Sequence, residues 1–368
     1  MTREEALLCW LYDCPGMTGL RAQKLLHAYK TPDGIWRELD ERAEKILGEK
    51  VYAALRERRN IRRVDALVDA VERWQMHIVR RGDPCYPPLL AYIHDAPELL
   101  YVRGQRELCD AQTLAIVGSR RCTRYGRNQA ERIACELAGM GVTVVSGLAR
   151  GIDTAAHTGA LRGHGRTVAV FGCGLDIAYP PENAALIDRI LAQGGSLVSE
   201  YAPGTPPRAT NFPQRNRILS GICAGTLLVE AQRSSGAMIT VNLALEQGRE
   251  VYALPGNVDA PLSQMPLQLL AEGAHLVRGA QDIVSSFHWI TPAMQLDFER
   301  DAVQAGEPVE LSEEEVQIVR CVENEPLSFD EIKEITQFPA DKLNSLLTIL
   351  EIREIMKQLP GKMYALAR

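Results

Sequence analysis

The sequence predicts an α/β protein built on a doubly wound parallel sheet, preceded by a helical segment and followed by a winged helix. Three observations carry this. From Thr113 onward, short β-rich runs alternate with helical runs. The strand-like runs are continuously apolar, as in strands covered on both faces. The chain closes on a helix, a turn, a helix and a short hairpin. At 368 residues it is long enough for two or three domains. The expected divisions are helices over 1–75, the sheet domain over 76–289, a linker over 290–309 and the winged helix over 310–368.

Helical spacing runs through Leu7, Leu8 and Leu11, then Leu25 and Leu26, then Leu55, Ile61, Val64, Leu67, Val68 and Val71. Between the first two sets lies Pro15-Gly16-Met17-Thr18-Gly19-Leu20. A Gly-x-x-Gly turn of this kind resembles the helix-hairpin-helix and SAM-like modules that touch DNA backbones; a plain helical turn is the simpler reading. From Ile78 to Val102 the chain is proline-rich, with Pro84, Pro87, Pro88 and Pro97, and reads as an extended connection that adds an edge strand.

The expected strands are Thr113 to Val117, Val142 to Ser146, Thr167 to Phe171, Ser196 to Ser199, Thr226 to Val229, Glu250 to Leu254 and His275 to Val277. Ligands of such sheets bind at the carboxyl ends of the strands. The segments there are Gly118-Ser119-Arg120, Gly147 to Asp153, Gly172-Cys173-Gly174, Glu200-Tyr201 and Glu230-Ala231 with Ser235-Gly236. Glycines let backbone N–H groups approach an anion, and Arg120, Arg150, Arg215 and Arg217 supply charge. Neither a G-x-G-x-x-G fingerprint nor a G-x-x-x-x-G-K-[ST] loop is present, which disfavours hydride transfer and P-loop ATP hydrolysis.

The stretch Thr210-Asn211-Phe212-Pro213-Gln214-Arg215-Asn216-Arg217 is the richest in binding chemistry. Pro213 biases Phe212 toward an extended backbone, so a helix is expected to begin after it. Arg215, Asn216 and Arg217 would then form its first turn, where free N–H groups favour an anion. Guanidinium forks grip phosphate, and Phe212 offers a face to a base. The plainer reading pairs both arginines with carboxylates and buries Phe212.

Asp153 and His157, four apart, are either a base with its orienter, two metal ligands, or a cap and a structural histidine. Glu200 and Glu230 read as partners that orient arginines, with acid/base work as the alternative. Ser119 and Ser235 lack the G-x-S-x-G elbow and read as phosphate or amide contacts.

The net charge of −6 divides into 0 over residues 1–111, +2 over 112–289 and −8 over 290–368. All basic residues of the middle part are arginine, the cation suited to planar groups. Nine cysteines without a C-x-x-C pair point to reduced thiols in a cytoplasm and to neither a disulfide frame nor a zinc site. The N-terminus lacks a signal-peptide pattern, and no apolar run is long enough to span a membrane.

Taken in order, these loops resemble the DNA-processing protein A family, also called DprA or Smf. The resemblance is dense over about residues 80 to 288. It rests on Ala115 to Arg120, Ser146 to Asp153 with Ala156-His157, Gly172 to Asp176, Tyr179-Pro180, Ser199 to Tyr201, Phe212 to Arg217, Val229 to Ala231, Ser235-Gly236 and Leu254 to Gly256. It implies an extended Rossmann-like domain that binds single-stranded DNA in a basic pocket. It further implies a homodimer that loads RecA recombinase onto incoming DNA during natural transformation, without catalytic turnover or cofactor. The implied pocket comprises Gly118, Ser119, Arg120, Gly172, Cys173, Gly174, Phe212, Arg215, Asn216 and Arg217, with Ser235 and Gly236 nearby. Met265 and Leu267 depart from the family, which has a Gly and an Asn in that loop.

In the last segment, helices are expected at Glu313 to Cys321, Ser328 to Thr336 and Ala340 to Leu350, and a hairpin around Pro360-Gly361. Its −8 charge opposes phosphate attraction and favours a protein-contact or regulatory role over duplex DNA. A nucleotide- or phosphoribosyl-directed enzyme in the same cleft, and a protein-binding scaffold, are the other functional readings.

Overall fold

The computed structural model describes residues 1–108, 112–233, 235–286, 313–322, 327–339, 342–343, 346–347, 349–350, 355–359 and 363–366. The chain forms two compact units, Met1–Trp289 and Ile290–Arg368.

The first unit opens with six helices: α1 Arg3–Tyr12, α2 Gly19–Tyr29, α3 Pro32–Glu38, α4 Glu41–Leu47, α5 Glu49–Glu57 and α6 Ile61–Arg73. Local chemistry fixes their starts. Thr2 and Glu5 form a reciprocal capping box on α1, and Thr18, Thr31, Asp40 and Asn60 each accept an amide of the helix they precede.

A nine-stranded sheet follows: β1 Met76–Arg80, β2 Leu99–Gly104, β3 Thr113–Val117, β4 Thr143–Ser146, β5 Thr167–Val170, β6 Ser196–Ser199, β7 Gly225–Leu228, β8 Glu250–Ala253 and β9 His275–Leu276. Their order is β1-β2-β6-β5-β4-β3-β7-β8-β9. From β6 to β9 every pairing is parallel, whereas β1 and β2 run antiparallel at one end. The proline-rich connection thus contributes two strands where one was expected, because its prolines lie between them.

The remaining helices are α7 Pro88–Ala91, α8 Arg124–Gly139, α9 Ile152–Arg162, α10 Ala184–Ala192, α11 Asn211–Ile222, α12 Ala237–Glu246, α13 Gln264–Ala271 and α14 Ala280–Ser286. Successive strand residues point to opposite faces. Ala115 and Val117 of β3 pack with Ile218, Leu219 and Val241 on one side. Leu114 and Ile116 pack with Ile133, Leu137 and Ala156 on the other. On that second side, Leu99, Tyr101, Ala169 and Phe171 share one apolar cluster with Leu7, Trp10 and Leu25 of the N-terminal helices. The sheet is covered on both faces, which is why its strands read as unbroken apolar runs.

The second unit contains helices Glu313–Cys321 and Phe329–Thr336 and a three-stranded antiparallel sheet, β10 Leu327–Ser328, β11 Met356–Leu359 and β12 Met363–Leu366, in the order β10-β12-β11. Ile318, Ile332, Leu343, Leu347, Leu350, Met356 and Tyr364 form its core. The short β10 was not expected. The linker over 290–309, Pro360-Gly361 and much of Ala340 to Leu350 lie outside the described residues. Among the described residues no helix is long and apolar enough to cross a membrane.

Candidate nucleic-acid interface

β3 lies between β4 and β7, so the chain winds outward in both directions from it. Ligand crevices of doubly wound sheets open at such a switch point, beyond the carboxyl ends of the strands. A groove of about 1080 Å³ lies there. It is bounded by Gly118 to Arg121 after β3, by Ala149 and Asp153 after β4, by Phe212, Pro213, Arg215 and Asn216 of α11, and by Ser235 to Ala237 after β7. Its lining holds three arginines, Arg120, Arg121 and Arg215, against one carboxylate, Asp153.

The helix expected after Pro213 starts two residues before it, at Asn211. Pro213 is tolerated because a third helical residue has no intrahelical partner for its N–H. Arg215 and Arg217 therefore fall beyond the first turn, and the expected anion site on free amides there does not form. Two positions on a helix differ by about 200° in direction, so the two arginines part company.

Arg215 turns under the groove, 4% exposed, and donates from Nη2 to the Gly147 carbonyl at 3.0 Å. Its Nε has no partner among the described residues. Arg217 turns away and donates to Glu200 at 2.6 Å, with Asp95 at 2.8 Å from its Nε. The expectation that Arg217 lines the pocket is corrected by this buried ion-paired position. Glu200 does orient an arginine, and burial pushes its carboxyl up against the pull of Arg217.

Gly172, Cys173 and Gly174 also lie outside the groove lining. They form a support beneath it. A Cβ on Gly172 would stand 2.9 Å from the Phe212 ring, so the missing side chain lets the ring settle. The Gly172 carbonyl accepts from Asn211 at 3.0 Å. Burial pushes the Cys173 thiol up to about 12, and the Gly174 amide is committed to the Thr205 carbonyl. Gly172 thus seats the ring, and the Gly174 amide is not free for an anion.

Phe212 is half-buried, with the Tyr179 ring at 5.4 Å and the Arg120 guanidinium 5.8 Å from its centroid. Gly118, Ser119, Asn216, Ser235 and Gly236 all line the groove. The Ser119 amide donates to the Glu230 carbonyl at 2.7 Å, and its Oγ accepts from the Arg121 amide at 3.1 Å. The Ser235 Oγ accepts from the Ala237 amide at 3.3 Å.

Asp153 and His157 do not form a base-and-orienter pair. Asp153 accepts from the amides of Gly147 and Ala149, at 3.1 and 3.3 Å. Burial raises it to about 6, with Arg215 opposing that rise. His157 meets Thr167 Oγ1 at 2.7 Å, and burial holds it down to about 3. Burial likewise lowers Arg215, to about 10. Among the described residues no cluster of His, Cys, Asp or Glu could hold a metal ion.

Glu230 does not orient an arginine, which corrects that expectation. It accepts from Thr123 N at 2.8 Å and from the Thr123 hydroxyl, and so anchors the start of α8. A carboxylate is favoured there by the positive end of the helix dipole.

Sequence reading missed a set of further exposed arginines, of which Arg121 lines the groove. Arg121, Arg124, Arg127, Arg208 and Arg233 are exposed, and among the described residues none has a carboxylate partner. Arg124 lies in the first turn of α8, which carries no acid of its own and takes its carboxylate from Glu230. The signal was the recurrence of Arg120, Arg121, Arg124 and Arg127 at three- and four-residue steps.

The Met265 and Leu267 departure lies at α13, where the Met265 side chain is buried against the sheet. Leu262 and Met265 are tied by backbone hydrogen bonds to Ala231.

Residues 77–288 match the family model for DNA recombination-mediator protein A, and residues 302–362 match that for the DprA winged helix domain. Protein Smf of Escherichia coli is 43% identical over 233 residues, 62% of this chain and 62% of that protein, so the match spans less than two thirds of that relative. The crystal structure of DNA processing protein A from Streptococcus pneumoniae superposes with a TM-score of 0.67 at 35% identity, covering 78% of this chain and 100% of that one. DNA processing protein A of Helicobacter pylori, described for its single-stranded DNA binding mode, gives a TM-score of 0.52 at 29% identity over 58% of this chain and 95% of that one. With a matched span of more than half its length and the winged helix in the expected place, this chain belongs to the DNA recombination-mediator protein A family.

Proposed function

We propose that this chain binds single-stranded DNA along the groove at the β3 switch point, without cleaving it. In the cytoplasm, as a homodimer, it protects incoming DNA and loads RecA recombinase onto it during natural transformation. The observation that carries the binding step is the arginine excess of the groove, with Phe212 available for a base to stack on. The Helicobacter pylori relative supports the choice of an unpaired strand. The dimer and RecA steps rest on family membership.

The test is a gel shift with single- and double-stranded oligonucleotides at two salt concentrations. A strand neutralised at two to four phosphates gives a log K against log salt slope of roughly −0.7 per phosphate. Arg120→Ala combined with Arg215→Ala weakens single-strand binding strongly while the protein stays folded. Unchanged affinity would remove the groove from consideration.

A turnover reading draws on one observation, the raised carboxyl of Asp153 in the groove. Glu200 and Glu230, the acid/base choices of the sequence, are both engaged internally. Release of base or phosphate from a nucleotide panel, lost in Asp153→Asn, would establish turnover.

A further inference from the structure

Segment 206–214 separates the first groove from a second, of about 440 Å³. Alternate residues face the two sides: Pro207 and Ala209 line the first groove, whereas Arg208 and Thr210 line the second. The far wall of the second groove is the Pro15-Gly16-Met17 turn and the face of α6 that carries Arg63 and Ala66. The Gly-x-x-Gly turn singled out in the sequence therefore opens onto it.

The charge there is positive. The carboxylates on its lining are Asp13 and Glu200. Asp13 is matched by Arg63, through bonds of 2.8 and 2.7 Å, with Arg58 at 3.5 Å as a second cation. Glu200 is taken by Arg217. Arg208 meets no carboxylate among the described residues, so the lining holds one more arginine than carboxylate. The half-buried Tyr201 supplies an aromatic face on the same lining. Cations that track a backbone, interleaved with aromatic rings, are what an unpaired strand requires.

We infer that the second groove receives the sugar-phosphate backbone of the same strand, beyond the nucleotides held in the first. The N-terminal helices then lengthen the binding site. This rests on the single-strand reading of the first groove.

Ala66 is exposed on α6 and lines only the second groove, so Ala66→Glu and Ala66→Lys change its charge without removing a native contact. Both replacements are good helix formers. Oligothymidylates spanning about 4 to about 16 nucleotides, the range of single-strand site sizes, are titrated against the parent and both variants. The shortest binds all three proteins alike. The longest binds Ala66→Glu several-fold more weakly and Ala66→Lys more tightly, with the salt slope shifted by about 0.7 in opposite directions. Equal binding of the longest strand by all three overturns the inference and leaves the groove to an acidic protein segment. An effect of the same size at every length also overturns it. If the parent binds no strand of any length, the first-groove reading falls as well, and the two failures are told apart.

Discussion

Arg217 and Glu200 meet at 2.6 Å with side chains 8% and 6% exposed, while Arg215, two positions before Arg217, turns to the opposite side of α11. One arginine of the pair holds the fold together and the other faces the ligand groove. Removing a single partner of a buried ion pair strands the other charge, at a cost of about 3–5 kcal/mol. Arg217→Ala is expected to lower the unfolding free energy by that order, read as a lower urea midpoint. Arg217→Met, which keeps packing volume but also strands Glu200, is expected to be destabilised too. A midpoint unchanged in both would mean that the pair contributes nothing.

Gly147→Ala attacks the other arginine. Its new Cβ would stand 2.1 Å from Nη1 of Arg215, so the guanidinium must leave its place on the Gly147 carbonyl. Losing one charge-assisted contact to a phosphate is worth about 1.5–3 kcal/mol, or about 10- to 100-fold in affinity. Single-strand affinity falls by that order, while far-ultraviolet circular dichroism stays that of the parent. Parent-like affinity would show that Arg215 makes no contact with the strand.

The acid response of this protein has two opposing parts. Asp153 titrates at about 6 in the native state against 3.8 when unfolded, so between these values the native state holds the extra proton and stability rises as pH falls. His157 titrates at about 3 instead of 6.5, so over that window the unfolded state holds the extra proton and stability falls as pH falls. Asp153→Asn removes the first part and leaves the second. Between pH 6 and 4 the variant therefore loses stability on acidification faster than the parent, by at most about 1.4 kcal/mol per pH unit. Denaturant midpoints measured across that range check it; parallel curves would mean that Asp153 ionises normally.

Most of the architecture was legible because it depends on local rules. Continuous apolar runs bounded by glycine located β3 and β6 to the residue and the other expected strands to within one. The site was legible in part. Gly118, Ser119, Arg120, Phe212, Arg215, Asn216, Ser235 and Gly236 do line one groove, whereas Gly172 to Gly174 and Arg217 do not. Proximity in sequence misled twice. Arg217 follows Arg215 by two residues but projects about 200° away on the helix. Gly172-Cys173-Gly174 follows a strand end as Gly118-Ser119-Arg120 does, yet the Phe212 ring closes over it.

By itself, the sequence determined the α/β class, the strand and helix succession and the concentration of arginine and glycine at one edge of a parallel sheet. These follow from side-chain periodicity and backbone chemistry, which act over a few residues. Only the tertiary structure decided which arginines are ion-paired and which are free, that Glu230 anchors α8, and that residues 206–214 divide two grooves. Each of those outcomes depends on which distant carboxylate or ring reaches a given side chain first, and that is set by packing between elements far apart in the chain.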